Sequence, residues 1–261
     1  MKHRLINDDC LKILGCTERV RMIFMDPPDN IGLGYDSYED NLDEDAYLQW
    51  LQTIIGAAVQ KADVVWLSYN SCWTFDLGCI VKWLLSLYPE LEAKPCQQVY
   101  TFYQHNKHDL GLAHRPMIRF KWIDAELYPD QIRIPSWRQL HGDKRANPKG
   151  KVPGDVFDFE EVYDILDVFD FTRVVGNSKQ RRRWHPTQLN EGLVERCVKL
   201  SCQPDDVVMD IFAGTGTTLR VCKATGNPCI LVELDPEYCA HLAEEHEMDA
   251  VYTGGAPEWS C

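Results

Sequence analysis

The chain predicts an α/β fold built on a mainly parallel, Rossmann-like sheet, and three observations carry that expectation. Short apolar runs ending in polar residues alternate with amphipathic helical runs, one of them passes into a glycine-rich turn, and an acidic residue closes the strand after that turn. Alternating strands and helices of this kind form a parallel sheet with helices on both faces.

The segment RMIFMDPPDN places a strand over Met22 to Met25, stopped by two prolines that continue neither a ladder nor a helix. Asp26 to Asn30 therefore fall on a loop at the C-terminal end of a strand. DEDAYLQWLQTIIGAAVQ has apolar residues at helical spacing with Asp43 able to cap, and ADVVWLSYN reads as a buried strand. A second helical run, CIVKWLLSLY, leads to a strand around Gln98 to Tyr103. From about His105 to Arg183 the chain is rich in Pro, Gly, Arg and Lys and has little sustained period. Beyond it, GLVERCVKLSC predicts an amphipathic helix, DDVVMDIF a buried strand, AGTGTTLRVCKATG a glycine-rich entry into a helix, and CILVELD another strand. There are no internal repeats or low-complexity tracts, and the final TGGAPEWSC reads as either a loose tail or a strand remnant.

At 261 residues the chain is long enough for one sizeable core carrying an insertion. No apolar run reaches the roughly 18 residues of a membrane span, and MKHRLINDDC lacks the apolar core of a signal peptide, so a soluble cytoplasmic protein is expected. The eleven cysteines show no CxxC pair and no zinc-type spacing; reduced, mostly buried thiols and no metal are expected. A net charge of −13 argues against a nucleic-acid partner only on average. Arg133, Arg138, Lys144, Arg145, Lys149 and Lys151 stand against the single acid Asp143, and Arg173 to Arg183 holds five basic residues and no acid. The acids concentrate in Asp36 to Asp45 and after Asp205, a polarity that fits a basic face on an acidic body as well as ordinary solvated surface.

In DIFAGTGTTL the chain leaves a strand for a helix through Gly214 and Gly216, which let the backbone approach a ligand. Glu233 ends the following strand, where a carboxylate meets the hydroxyls of a ribose. A plain turn is the bland alternative. A dinucleotide site is the sharper rival, but its third glycine would fall on Leu219, and Asp210 and Phe212 suit a nucleoside bearing an amino acid better than a pyrophosphate. In Asp26-Pro27-Pro28 a carboxylate and a backbone carbonyl offer two adjacent acceptors, matching the two hydrogens of an aromatic amine. Accepting both turns the nitrogen lone pair out of conjugation, an orientation effect.

Together the two loops resemble the DNA amino-methyltransferases in their permuted, beta-class arrangement, in which a DPPY-type motif precedes an FxGxG motif. The resemblance implies a Rossmann-like S-adenosylmethionine-dependent methyltransferase fold with an inserted target-recognition region. Residues 1–104 would be the catalytic half, 105–183 the insertion and 184–261 the cofactor half. It implies Asp26, Pro27, Pro28 and Asp29 as the catalytic positions. It implies S-adenosylmethionine held by Asp9, Cys10, Asp26, the HPTQ residues His185, Pro186, Thr187 and Gln188, then Asp210, Phe212, Ala213, Gly214, Thr215, Gly216, Thr217, Thr218 and Glu233. DNA is the implied partner, with the base flipped into the pocket and Lys144, Arg145, Arg181, Arg182 and Arg183 on its phosphates. Many members are homodimers, although no unambiguous apolar seam is visible here.

Two departures stand out. Leu189 and Asn190 replace the usual residues after HPTQ, and Asp29 occupies a position that is aromatic in the family and stacks on the flipped base. Another ring such as Tyr35, Tyr38 or Trp184 covers the base, or the pocket takes an unusual base, or activity is lost. Adenine N6 is the leading target because a leading Asp goes with adenine more often than with cytosine N4. A catalytically silent, cofactor-binding DNA-binding protein is the alternative of a different class, and RNA or a protein glutamine amide are further substrate classes.

Overall fold

The computed structural model describes residues 3–35, 38–99, 107–112, 114–157, 174 and 178–252. The chain runs through β1 (His3–Asn7), α1 (Cys10–Cys16), β2 (Val20–Met25), α2 (Glu44–Lys61), β3 (Ala62–Ser68), α3 (Thr74–Leu87), β4 (Leu91–Val99) and β5 (His114–Trp122). A short α4 (Trp137–Leu140) and β6 (Val156–Phe157) precede α5 (Glu191–Ser201), β7 (Val208–Asp210), α6 (Thr217–Thr225), β8 (Cys229–Glu233), α7 (Pro236–His246) and β9 (Ala250–Tyr252).

All nine strands join one sheet in the order β6-β4-β5-β3-β2-β7-β8-β1-β9. Every pairing is parallel except those of β5, which runs antiparallel to β3 and β4. Successive strand residues face opposite sides of the sheet, and both sides are dry. Ile23 and Met25 of β2 and Val65 and Leu67 of β3 pack with α1, α2 and α3. Met22 and Phe24, with Val64 and Trp66, pack with α5, α6 and α7. This double burial explains why the strands read as continuous apolar runs.

Helix α2 begins where expected. Asp43 caps it by accepting the amides of Asp45 (3.1 Å) and Ala46 (3.4 Å), and Glu44, Asp45 and Lys61 complement the helix dipole at its two ends. Its inward stripe, Tyr47, Leu51, Ile54, Ile55, Ala58 and Val59, is fully buried. On the other face the Trp66 indole N–H donates to Ser201 Oγ at 2.9 Å, which ties β3 to the end of α5.

The strand expected around Gln98 to Tyr103 is displaced: β4 begins at Leu91 and ends at Val99, and residues 100–103 lie outside the described residues. Its nine residues pair fully with β5, and that long antiparallel ladder fixes its true extent. The segment expected as an insertion, 105–183, contributes β5 and β6 to the sheet, so part of it belongs to the core architecture. Tyr128 N donates to Leu200 O and Gln131 Nε2 to Cys202 O, and the chain later rejoins the sheet where β6 pairs with Gln97 and Gln98. Arg133, Lys144 and Arg145 lie on the segment between β5 and β6, whose start is tied to the end of α5. The expected tail from Thr253 onward, Asp36 and Arg173 lie outside the described residues.

The ten cysteines described are all free thiols, seven of them buried. Among the described residues, no helix is long and apolar enough to cross a membrane.

Candidate active site

The C-terminal ends of β2, β7, β8 and β1 open onto one cavity. Parallel pairing sets Phe24 opposite Asp210, so the loop after β2 and the glycine-rich loop after β7 leave the sheet side by side. The next pairings bring Glu233 beside Asn7, and with them the start of α1.

The cofactor-type loop is held by its own polar groups. Ala213 N donates to Val232 O at 2.9 Å, and the Glu233 carboxylate accepts Gly214 N (2.8 Å) on one oxygen and Asp235 N (2.9 Å) on the other. Burial, then the charges of Asp235 and Asp210, pushes the Glu233 carboxyl up to about 7 against those two amides. Asp210 accepts Phe212 N at 3.0 Å and the Thr218 hydroxyl, and burial raises it to about 6.

The two glycines do different things. A Cβ on Gly214 would lie 3.3 Å from His185 Nε2, inside the cavity wall. Gly216 has φ +71°, and a Cβ there would meet Leu242 Cδ2 at 2.6 Å. Gly216 therefore serves the turn and its packing on α7, and it does not face the ligand space as expected. Pro186 also stays out of the wall. The other expected cofactor positions all line the cavity: Asp9, Cys10, Asp26, His185, Thr187, Gln188, Asp210, Phe212, Ala213, Gly214, Thr215, Thr217, Thr218 and Glu233. Several of them also have structural duties. Asp9 caps α1 through the amides of Leu11 (2.9 Å) and Lys12 (3.1 Å), and Gln188 is braced by Gln180 O (2.6 Å) and Arg182 N (2.8 Å).

In the loop after β2, the Pro28 carbonyl accepts the Tyr47 hydroxyl at 2.8 Å and the Asp29 carbonyl accepts Trp73 Nε1 at 2.7 Å. Asn30 follows in the left-handed region, φ 55°. The buried Asp40 carboxylate then accepts the amides of Asn30 (2.7 Å), Ile31 (3.2 Å) and Leu33 (2.9 Å), so the loop is set by its own return stretch. Asp26 and Pro28 line the cavity, whereas Pro27 and Asp29 do not. Asp29 is instead buried against Arg115 of β5: Nη1 donates to Asp29 Oδ2 (2.9 Å) and Nη2 to Asp29 Oδ1 (3.0 Å). Arg115 Nη2 also reaches Asp26 Oδ1 (2.9 Å), and Nε donates to Ser68 Oγ (2.7 Å). The Asp29 carboxylate is thus engaged by Arg115 and lies outside the cavity wall. Burial moves the Asp26 carboxyl upward, helped by Asp29 and opposed by Arg115.

Of the rings considered as a base cover, Tyr35 and Tyr38 line the cavity. Trp184 stacks on His241, 4.8 Å between centroids, and is outside the wall. Sequence reasoning missed Arg115 and Ser68, and in the wall Asp8, Trp50, Leu234, Asp235 and Tyr238. Trp50 is the one with a visible signal, since it lies one turn beyond Tyr47 on α2 and packs edge-on to Phe212 at 5.9 Å.

The expected phosphate contacts divide. Arg182 forks onto Glu245 of α7, with Nε 3.0 and 2.8 Å from the two carboxylate oxygens, so it acts as an internal strut. Arg181 donates to Pro186 O at 3.2 Å and Arg145 pairs with Asp143 at 2.9 Å, while Arg183 and Lys144 are exposed. None of the five lines the cavity.

Six carboxyls line this space, from Asp8, Asp9, Asp26, Asp210, Glu233 and Asp235, and among the described residues no Lys or Arg does. Six carboxyls around a pyrophosphate would repel it, which disfavours the dinucleotide rival. The space suits a ligand with hydroxyl donors and positive charge.

Residues 92–245 match the family profile described as DNA methylase. The chain is 30% identical over 242 residues to the DNA adenine methyltransferase YhdJ of Escherichia coli K12, covering 85% of this chain and 74% of that protein. In fold it is similar to the cytosine-N4-specific PvuII DNA methyltransferase, with a TM-score of 0.67 at 14% identity over 98% of this chain and 96% of the other. It is also similar to a putative DNA modification methylase of Thermus thermophilus solved with S-adenosylmethionine, with a TM-score of 0.59 at 18% identity, covering 97% and 99%.

Replacing Gly216 by Val is expected to lower the unfolding free energy by about 2–4 kcal/mol, through left-handed strain and overpacking on Leu242. Urea denaturation measures this. An unchanged midpoint would mean that the turn tolerates a side chain and that its geometry is not fixed by α7.

Proposed function

This chain belongs to the DNA methylase family, and from that membership we propose that it transfers a methyl group from S-adenosylmethionine to the N6 amine of adenine in DNA. The observation that carries the reading is that Asp26 and Glu233 line the same acidic cavity, in whose wall no Lys or Arg stands among the described residues. S-adenosylmethionine supplies, when bound, a methyl group on a positively charged sulfur, and the residues present fit it. The carboxyls balance its positive charges, Gly214 leaves room where a Cβ would strike His185, and Glu233 can accept its ribose hydroxyls.

The residues then divide the work. With Asp26 Oδ1 on Arg115, Asp26 Oδ2 is the oxygen turned to an amine hydrogen. The second acceptor is a backbone carbonyl of the Asp26-Pro27-Pro28 segment, in which the Pro28 carbonyl already accepts the Tyr47 hydroxyl. Two acceptors hold the amine with its lone pair out of the ring plane and aimed at the methyl group. Asp26 Oδ2 also receives the proton that the amine sheds. Tyr35 and Tyr38 offer the rings that Asp29 does not, for a base turned out of the duplex. Arg183, Lys144 and Arg145, the last beside Asp143, are exposed cations suited to phosphates.

Adenine is favoured because the relative from Escherichia coli carries that specificity in its name and because the motif opens with Asp. Incubating the protein with S-adenosylmethionine and mixed-sequence DNA, then digesting to nucleosides for mass analysis, should yield N6-methyladenosine as the deoxynucleoside. N4-methylcytosine would overturn the base assignment, and no methylated nucleoside would mark a silent cofactor-binding protein.

Cofactor binding should also depend on pH. Glu233 lies near 7 in the free protein, above the ordinary 4.5, so its burial costs stability increasingly as pH rises from about 4.5 to about 7. Hydroxyl donors favour the ionised form, so binding expels a proton and affinity should climb with pH to about 7 and then level off. Calorimetry in buffers of different ionisation enthalpy reads that proton. A pH-independent affinity without proton release would show that the ligand leaves Glu233 alone.

A further inference from the structure

We propose that Arg115 is a positioning residue for Asp26, and that Asp29 serves as the counter-ion that fixes Arg115. This deepens the reading of Asp26 as the amine acceptor and rests on it. A parallel sheet presents only strand ends at its C-terminal edge, but β5 runs the other way and therefore begins there, with Arg115 as its second residue. Tyr69 N donates to Pro116 O at 3.2 Å, which holds that start against the end of β3. A guanidinium is thus delivered beside the loop after β2 by a rigid strand.

Its planar fork is then shared among three groups: Ser68 Oγ on Nε, Asp29 on both terminal nitrogens, and Asp26 Oδ1 on Nη2. Bidentate pairing with Asp29 fixes the plane of the guanidinium, and the plane fixes the direction from which Asp26 is held. Arg115 engages Oδ1, and the Ser68 side chain is a second hydrogen-bond partner of the same carboxylate. The remaining charged or titratable groups facing Asp26 are Asp29 from its own loop, Asp210 from β7 and Tyr35 from the return stretch, and Ser68 of β3 is the neutral hydrogen-bond partner. Without Arg115, two buried carboxylates would face each other and one would take up a proton, which removes acceptor capacity at neutral pH. Asp29 keeps Arg115 in place and, by sharing its charge, keeps Asp26 from being drawn into a closed one-to-one pair. The position that carries a ring in relatives thus carries, in this chain, the anchor of an arginine.

The test uses the full chain with Arg115→Gln, Arg115→Lys and Asp29→Asn, following methyl transfer to DNA against pH, cofactor affinity, and the titration of Asp26 by carboxyl NMR. Arg115→Gln should lower kcat at neutral pH about 100-fold, the scale of a misplaced reacting group, while cofactor affinity changes less than about threefold. It should move the carboxyl limb of the pH profile up by about one unit or more, so that activity returns in part at high pH. Arg115→Lys, which keeps the charge and loses the fork, should fall between. Asp29→Asn should move the limb the opposite way and serves if Arg115→Gln does not fold. An equal loss at every pH, or an Asp26 titration unmoved in Arg115→Gln or in Asp29→Asn, would reduce the pair to loop scaffolding and overturn the proposal. If the wild type transfers no methyl group, the functional reading fails by itself, and the NMR titration still decides whether Arg115 and Asp29 control Asp26.

Discussion

Strands β2 and β7 are distant in the chain, yet their parallel pairing is the contact from which the whole site follows. From β2 the chain steps to β3 on one side, and from β7 it steps to β8 on the other, so the sheet changes direction between them. At such a switch point the two following loops diverge and leave a crevice. The loop after β2 brings Asp26, the loop after β7 brings Gly214, and β8 brings Glu233. Ile211 N donating to Phe24 O at 3.4 Å extends the pairing one residue beyond the strand, to the floor of the cavity. Were this register to slip by one residue, Met22 and Phe24 would exchange faces with Ile23 and Met25, and both cores would lose their fit.

Charge is the second constraint. Six carboxyls around one cavity repel each other, and the protein offsets this by local means. Two amides hold Glu233, an amide and a hydroxyl hold Asp210, the α1 terminus holds Asp9, and Arg115 holds Asp26. Burial, with a smaller contribution from the neighbouring carboxylates, still leaves the Glu233 and Asp210 carboxyls raised. A cationic ligand relieves what remains, so the same arrangement that weakens the empty fold favours its occupant. Six of the 40 acidic residues line the cavity, so only a small part of the overall acidity is turned inward.

What the sequence disclosed and what it hid differ by the range of the physics involved. The Asp43 cap, the apolar stripe of α2 and the Gly214 to Glu233 unit are local patterns, and they were legible residue by residue. The β5 strand was hidden because it breaks the strand-helix alternation and lies in a stretch that reads as irregular. Arg115 was hidden because it meets Asp26 across 89 positions, and a lone arginine in a strand carries no local mark. Two glycines in one motif looked equivalent, but only three-dimensional packing separates Gly214, against His185, from Gly216, against Leu242. Arg182 sits in a basic run whose sequence gives no hint of Glu245, so its charge seemed available for DNA.

The central claim is that one cavity holds the methyl donor and points its reacting end at Asp26. A crystal structure of the protein with sinefungin, an unreactive amine analogue of S-adenosylmethionine, tests this most directly. The account predicts ribose hydroxyls on the Glu233 carboxylate, the adenine between Leu234 and the start of α1, and the analogue's amine turned toward the Asp26 side of the cavity. Density elsewhere, or an analogue bound with its amine directed away from Asp26, would contradict it.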